Sequence, residues 1–202
     1  MNKLKETLKF EMDESDKEFG LIKKTLIDIK DNKDLFEIFS KYSIPIIYAN
    51  WEGFFKEAIL AYYNFINRNE IKIDMYILTQ ILIHNEILKD EPIKAFNARK
   101  NLIEQIKNVF EKPKFKNQRP KISDLSLKEA NKFLEENDFK IIELENGSLI
   151  HQLANERNKI VHGERTDKIY TIKEIIMYID IVENAIQKLS ESVIYKSEIL
   201  LE

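Results

Sequence analysis

Scarcity of glycine and proline is the feature that most constrains the fold of this chain. Only four residues of each type occur among its 202 amino acids. Sheet proteins need frequent turns, and tight turns depend on these two residue types. The deficit therefore predicts an all-α fold in which long helices are joined by few loops.

Apolar residues recur every three or four positions along most of the chain, which is the helical period. The pattern predicts a single helical domain over residues 1–202 with about five to seven helices. They cover roughly residues 3–30, 44–68, 76–88, 93–110, 126–137, 148–162 and 171–192. Pro45 would lie at the start of the second helix or at a kink. Segment 139–148 is predicted to be a short strand or an extended connection.

Polar residues mark three of the helix starts. Ser126 with Glu129 and Thr171 with Glu174 have the spacing of capping boxes. Ser148 is expected to cap the helix between them, because serine is a preferred N-cap residue.

Composition excludes several classes of function. The chain has no cysteine, which rules out disulfides, thiolate metal sites and a cysteine nucleophile. Its formal net charge is -3, so contact with RNA requires a local basic patch. No apolar run approaches the roughly 20 residues that span a bilayer. The charged amino terminus lacks a signal-peptide core. A cytoplasmic protein without membrane attachment is therefore expected.

The histidines do not suggest a metal site. They are His84, His151 and His162, and the last two would lie about 16 Å apart along a straight helix. There is neither an H-E-x-x-H motif nor a glycine-rich phosphate loop. Neither a metal nor a cofactor is therefore expected.

The stretch LANERNKIVHGER, residues 153–165, carries the candidate site. On a helical wheel Arg157 falls in the middle of the apolar stripe, where an unpaired guanidinium is costly. It needs a core acid such as Glu52, water at the helix end, or an external anion. A second stripe beside it consists of His151, Asn155, Asn158 and His162. The imidazole of His162 can exchange protons near neutral pH, or it can simply cap the helix end.

Arg157, Asn158 and His162, followed by Gly163 and Glu164, resemble the R-x4-6-H motif of the HEPN superfamily (higher eukaryotes and prokaryotes nucleotide-binding). The segment YANWEGFFKEAILAYYNFI, residues 48–66, is similar to a W-E-G-F helix of a prokaryotic, defence-associated branch. The resemblance implies an HEPN-like helical bundle that often dimerises, so that two motifs share one cleft. It also implies a metal-independent endoribonuclease of the toxin or antiviral-defence type, with an antitoxin or defence-system protein as a candidate partner.

The residues suit that chemistry. RNA is cleaved when a 2′-hydroxyl attacks the neighbouring phosphate, which requires proton transfer and stabilisation of charge on phosphorus. His162 could move protons, Arg157 could bind the phosphate, and Asn158 could orient either group. Because one histidine cannot readily act as both acid and base, a homodimer is expected to supply two. Glu52, His151 and Asn155 would have supporting roles.

A basic loop near residues 111–122 is a candidate RNA-binding surface. Its sequence KPKFKNQRPK contains five positive charges, no acid, and an aromatic ring that could stack on a base. The candidate contacts are Lys112, Lys114, Phe115, Lys116, Arg119 and Lys121. A solvated surface loop without such a role explains the same composition.

Two other functions stay open beside the ribonuclease. The chain could be a non-catalytic HEPN binding or regulatory module in a toxin–antitoxin or defence complex, with Arg157 neutralised inside the core. It could also be a structural helical oligomer, in which Arg157 and His162 would matter only for stability.

Overall fold

The computed structural model describes residues 1–69, 75–87, 96–120, 122, 124–164 and 168–201. Within these ranges the regular secondary structure is entirely helical, which confirms the all-α prediction. The seven helices are α1 (Asn2–Asp28), α2 (Lys33–Arg68), α3 (Met75–His84), α4 (Phe96–Glu111), α5 (Leu127–Glu136), α6 (Ser148–Val161) and α7 (Ile172–Ile199). None of the described helices is long and apolar enough to cross a membrane.

α2 is the central helix, and it packs against α1, α6 and α7. α1 runs antiparallel to α7, because Lys5 pairs with Glu198 and Lys23 pairs with Glu183. Trp51, in the W-E-G-F segment of α2, is fully buried. Burial of such a large ring gives α2 much of its stabilising contact with the rest of the bundle.

α2 begins at Lys33 and not near residue 44 as predicted. Asn32 caps it, since its side chain accepts a hydrogen bond from the Leu35 amide at 3.2 Å. Leu35 itself is exposed, as are Ile38 and Tyr42, whereas Phe36 and Phe39 pack against the core, so the apolar residues of this first part lie on both faces of the helix. Pro45 therefore lies inside the helix, where it removes one backbone donor.

The segment before α6 and the first residue of α6 test two predictions, a strand or connection over 139–148 and a cap at Ser148. Residues 139–147 contain no strand and form an extended connection that ends in a turn. Gly147 occupies the N-cap position and Ser148 is the first helical residue, so the predicted serine cap is wrong. Carbonyls of the turn accept hydrogen bonds from the first amides of α6, which removes the need for a side-chain cap.

The two capping boxes predicted elsewhere mark real helix starts. Thr171 and Glu174 form the complete reciprocal pair at the start of α7. Ser126 accepts a hydrogen bond from the Glu129 amide at 3.2 Å at the start of α5. α7 continues to Ile199, beyond the predicted end near residue 192.

Candidate functional site

α6 ends directly after the candidate motif. His162 is the C-cap, and Gly163 follows with a φ of 71°. The Gly163 amide bonds to the Ile160 carbonyl and the Glu164 amide to the Lys159 carbonyl, a pair that defines a Schellman motif. Glycine adopts this positive φ without strain. Gly163 therefore lies where α6 ends.

Arg157 lies at the surface end of the buried stripe, with 29% of its side chain exposed. Its Nη1 donates to Oδ1 of Asn158 at 2.6 Å and lies 3.5 Å from Oδ1 of Asp124. The guanidinium carbon lies 5.0 Å from the centre of the Tyr48 ring, within the range of cation–π attraction. The guanidinium is therefore contacted by a ring and a carboxylate, but it remains open to solvent.

Asp124 was not among the residues singled out from the sequence. Beside this ion pair, its Oδ1 accepts a hydrogen bond from Nδ2 of Asn158 at 3.3 Å. Its backbone has a φ of 52°, in the left-handed region that aspartate tolerates better than most residues. Arg157, Asn158 and Asp124 thus form a triangle of polar contacts.

The backbone of Leu125 fixes the position of Asp124. The Tyr48 hydroxyl accepts a hydrogen bond from the Leu125 amide at 2.6 Å, and Nε1 of Trp51 donates to the Leu125 carbonyl at 2.9 Å. Tyr48, Trp51 and Leu125 are all buried, so water does not compete for these bonds. The W-E-G-F helix therefore also holds a loop residue beside Arg157.

Glu52 was a candidate partner for Arg157, and the structure places its contacts elsewhere. Its carboxylate pairs with Lys56 and accepts a hydrogen bond from the Tyr48 hydroxyl. Burial, followed by this bond and the charge of Glu52, raises the pKa of the Tyr48 phenol, which stays protonated at neutral pH. Asp124 is the direct acid partner of Arg157, whereas Glu52 contacts Tyr48, whose ring lies beside the guanidinium.

The predicted second stripe lies on the outer face of α6. His151, Asn155 and His162 are exposed, and Asn158 is half-buried. Nδ2 of Asn155 and Nε2 of His151 lie 3.1 Å apart. The His162 ring makes no hydrogen bond or ion pair with the part of the chain that the structure describes. The imidazole is therefore accessible to an external partner.

Glu156 fastens the segment that follows the motif. The Tyr170 hydroxyl donates to Glu156 at 2.6 Å, and Nζ of Lys159 donates to it at 3.1 Å. Burial alone would raise the pKa of Glu156, but these bonds and the charge of Lys168 lower the pKa overall. The resulting carboxylate ties α6 to the buried Tyr170 at the start of α7.

The basic loop packs onto α2 and the end of α3. Phe115 is only 3% exposed, and its ring stacks on Tyr63 with the ring centroids 4.1 Å apart. The Asn67 side chain makes two hydrogen bonds to the Phe115 backbone, both at 2.9 Å, and Asn85 bonds in the same way to the residues on either side. The expectation that Phe115 offers its ring to a base is wrong, because the ring completes the protein core.

The cations of this loop differ in their surroundings. Lys112 and Lys114 are exposed. Nζ of Lys116 donates to a backbone carbonyl next to α3 at 2.9 Å, and Arg119 pairs with a carboxylate of α2. Lys121 lies outside the described residues. Two of the described cations, Lys116 and Arg119, are therefore engaged within the chain.

The basic loop and Arg157 contact different parts of α2. Phe115 stacks on Tyr63, whereas Arg157 lies over Tyr48, and these positions are roughly 22 Å apart along the helix. The structure therefore does not bring the two predicted parts of the site together in one pocket.

The groups at the end of α6 are a guanidinium, a carboxamide and an imidazole. Together they can bind an anion, orient it and transfer a proton. Across the described ranges, no cluster of three or more histidine, aspartate or glutamate side chains is placed to hold a metal ion.

A family model described as RiboL-PSP-HEPN matches residues 11–195. The matched range contains both the W-E-G-F helix and the motif at the end of α6. Comparison with curated proteins and with solved structures found no match.

Proposed function

Since the chain belongs to the RiboL-PSP-HEPN family, in which the HEPN domain indicates an RNase or an RNA-related module, we propose that it is a metal-independent endoribonuclease. Its catalytic residues in this proposal are Arg157, Asn158 and His162. The proposal places it among toxins or antiviral-defence effectors, where a partner protein would restrain the activity.

The open guanidinium of Arg157 is the observation that supports this proposal best. A purely structural arginine in an apolar stripe would be expected to end in a buried, fully paired contact. Arg157 instead reaches solvent, and its carboxylate partner Asp124 is itself 64% exposed. An exposed partner can be replaced by a phosphate, because exposed ion pairs contribute little stability.

Cleavage would follow the intrinsic chemistry of RNA. A base removes the proton from the 2′-hydroxyl, the 2′-oxygen forms a bond to phosphorus, and the bond to the 5′-oxygen breaks. An acid delivers a proton to that 5′-oxygen, leaving a 2′,3′-cyclic phosphate and a 5′-hydroxyl. Arg157 would hold a nonbridging oxygen and stabilise the charge that develops on the phosphoryl group.

Two chains would be needed for the complete set of groups. His162 follows Arg157 by five positions, so on one helix their side chains point about 140° apart. A single chain also offers one imidazole here, whereas the reaction needs a base and an acid. A homodimer that faces two α6 ends toward each other would place the His162 of one chain near the Arg157 of the other.

Cleavage of single-stranded RNA in EDTA tests the proposal. We expect the wild-type protein to generate 2′,3′-cyclic phosphate ends, and His162→Ala and Arg157→Ala to lose most of this activity. Removal of a positioned acid–base group typically costs about 10²–10⁴-fold in rate. Gln152→Ala is the matched control, because Gln152 is an exposed residue on another face of α6. Equal cleavage by all four proteins would remove the assigned roles.

A non-catalytic binding or regulatory module is the second candidate function. The contact between Arg157 and Asp124 favours it, since this guanidinium already has an acid partner within its own chain. Binding of RNA without cleavage, at a concentration where the protein is dimeric, would support this candidate over the nuclease.

A further inference from the structure

Asp124 occupies the position at which an anion would meet Arg157. One carboxylate oxygen lies 3.5 Å from Nη1 of Arg157 and 3.3 Å from Nδ2 of Asn158. Of these two donors, Arg157 is the one assigned above to a nonbridging oxygen of RNA, and Asn158 belongs to the same proposed site. A carboxylate and a phosphate present similar oxygens to a guanidinium, so Asp124 and a phosphodiester would compete for the same donors.

The backbone at Asp124 is held in place while its side chain is free to turn outward. Leu125 is bonded at 2.6 Å and 2.9 Å to two buried side chains of α2, so the neighbouring backbone cannot move without breaking both bonds. The Asp124 carboxylate, by contrast, faces solvent over much of its surface. Rotation about the side-chain bonds of Asp124 would expose the donors without opening the loop.

The left-handed backbone of Asp124 also directs the carboxylate. A non-glycine residue with a φ of 52° is uncommon and is held there by its surroundings. Here the surroundings are the two Leu125 hydrogen bonds, which belong to the core and not to a flexible surface loop. The backbone position from which the carboxylate reaches Arg157 is therefore built into the fold.

We infer that Asp124 is an internal competitor that occupies the phosphate position of the Arg157–Asn158 site until a phosphodiester displaces it. The inference rests on the proposed function, which assigns this site to RNA phosphate. Asp124 lowers the affinity of the site for weakly bound anions and orders the guanidinium beside Asn158 before substrate arrives. A polyanionic RNA strand competes better than a single phosphate, because several phosphates contribute to its electrostatic binding.

The test is a titration of inorganic phosphate followed by two NMR signals, the Arg157 side-chain Nε–Hε group and the Asn158 side-chain amide; the second signal remains when Arg157 is replaced. The proteins are wild type, Asp124→Asn and Asp124→Gly, measured at low ionic strength to limit screening. Asparagine and glycine both tolerate a positive φ, so neither variant strains the backbone. Asp16→Asn is the charge-matched control, because Asp16 is an exposed residue of α1.

We expect both Asp124 variants to bind phosphate about two- to fivefold more tightly than the wild type, which is the range set by loss of an exposed ion pair. Asp16→Asn should match the wild type, and adding Arg157→Ala to Asp124→Asn should abolish the gain. Equal affinity in wild type and both Asp124 variants would overturn the inference. An equal gain in Asp16→Asn would also overturn it, because net charge would then be the cause.

Failure of the inference can be told apart from failure of the proposed function. The phosphate titration does not require RNA cleavage. If Asp124→Asn binds phosphate more tightly but the protein never cleaves RNA, the inference about Asp124 stands and the proposed nuclease function fails. If RNA cleavage depends on Arg157 and His162 but replacing Asp124 leaves the phosphate affinity unchanged, the proposed nuclease function stands and the inference about Asp124 fails.

Discussion

Replacing Tyr48 with phenylalanine tests how the core holds the candidate site. The substitution keeps the ring that Arg157 contacts and removes only the hydroxyl. That hydroxyl accepts the hydrogen bond of the Leu125 amide at 2.6 Å, and both residues are fully or almost fully buried. The variant therefore leaves a backbone donor unpaired in the core, without creating a cavity as large as a side chain.

The expected loss follows from the cost of a buried unpaired donor. Removing one partner of such a bond destabilises a protein by about 1–3 kcal/mol. Because a chain of this size loses about 2–4 °C of melting temperature per kcal/mol, the shift should be several degrees. Glu52 loses the phenol as a donor but keeps Lys56, so it should add little to the loss.

Urea denaturation of wild type and Tyr48→Phe measures the difference in the free energy of unfolding. Tyr42→Phe is the matched control, because Tyr42 lies on the same helix with 57% of its surface exposed. The control should change stability by less than about 0.5 kcal/mol. A Tyr48→Phe variant as stable as Tyr42→Phe would refute the hydrogen bond to Leu125 and the anchoring of Asp124.

Three further predictions concern other parts of the molecule. Phe115→Ala should destabilise the fold by about 3–5 kcal/mol in chemical denaturation, because the ring is core, whereas the exposed Phe110→Ala should change it little. Burial lowers the pKa of His84 from 6.5, so the unfolded chain takes up this proton at a higher pH than the folded chain. The free energy of unfolding should therefore decrease as pH falls below 6.5 and level off below the folded pKa, and His84→Gln should flatten that profile; an unchanged profile would contradict the assignment. Gly163→Ala should lower the free energy of unfolding by about 1–2 kcal/mol, because Gly163 has a positive φ. Gly20 lies in open space on α1, so Gly20→Ala should leave that free energy unchanged or raise it.

The sequence was sufficient to predict the helical class and most helix positions. Apolar periodicity and the two capping boxes located the starts of the helices from α3 onward to within a few residues over the described ranges, although α7 runs well past its predicted end. The start of α2 was missed because Leu35, Ile38 and Tyr42 are exposed while Phe36 and Phe39 pack against the core, so apolar residues on both faces obscure the helical period. Pro45 reinforced the error, since proline is more common at helix starts than in helix interiors.

The candidate site was predictable only in its local part. Arg157, Asn158 and His162 are close in sequence, so helical spacing alone relates them. Asp124 could not be found in this way, because it reaches Arg157 from a loop 33 positions earlier and belongs to no local pattern. Tyr48 was assigned to the aromatic helix, but nothing in that pattern indicates that its ring meets a guanidinium.

At the basic loop, composition led to a prediction that the structure does not support. Its composition suggested a free surface with an available ring, yet composition does not report which side chains the fold itself uses. Asn67 and Asn85 clamp the loop backbone, and this places Phe115 inside. An asparagine that binds both a donor and an acceptor of a distant segment leaves no periodic signal in the sequence.

The most direct test of the central claim, that two chains share one RNA-cleaving site, is a mixing titration. Wild type and His162→Ala are co-refolded at varied ratios, and RNA cleavage in EDTA is measured at constant total protein. If both imidazoles are required, mixed dimers are inactive and the rate falls as the square of the wild-type fraction. A rate that falls in direct proportion to that fraction would show that each chain acts alone, and would contradict the account.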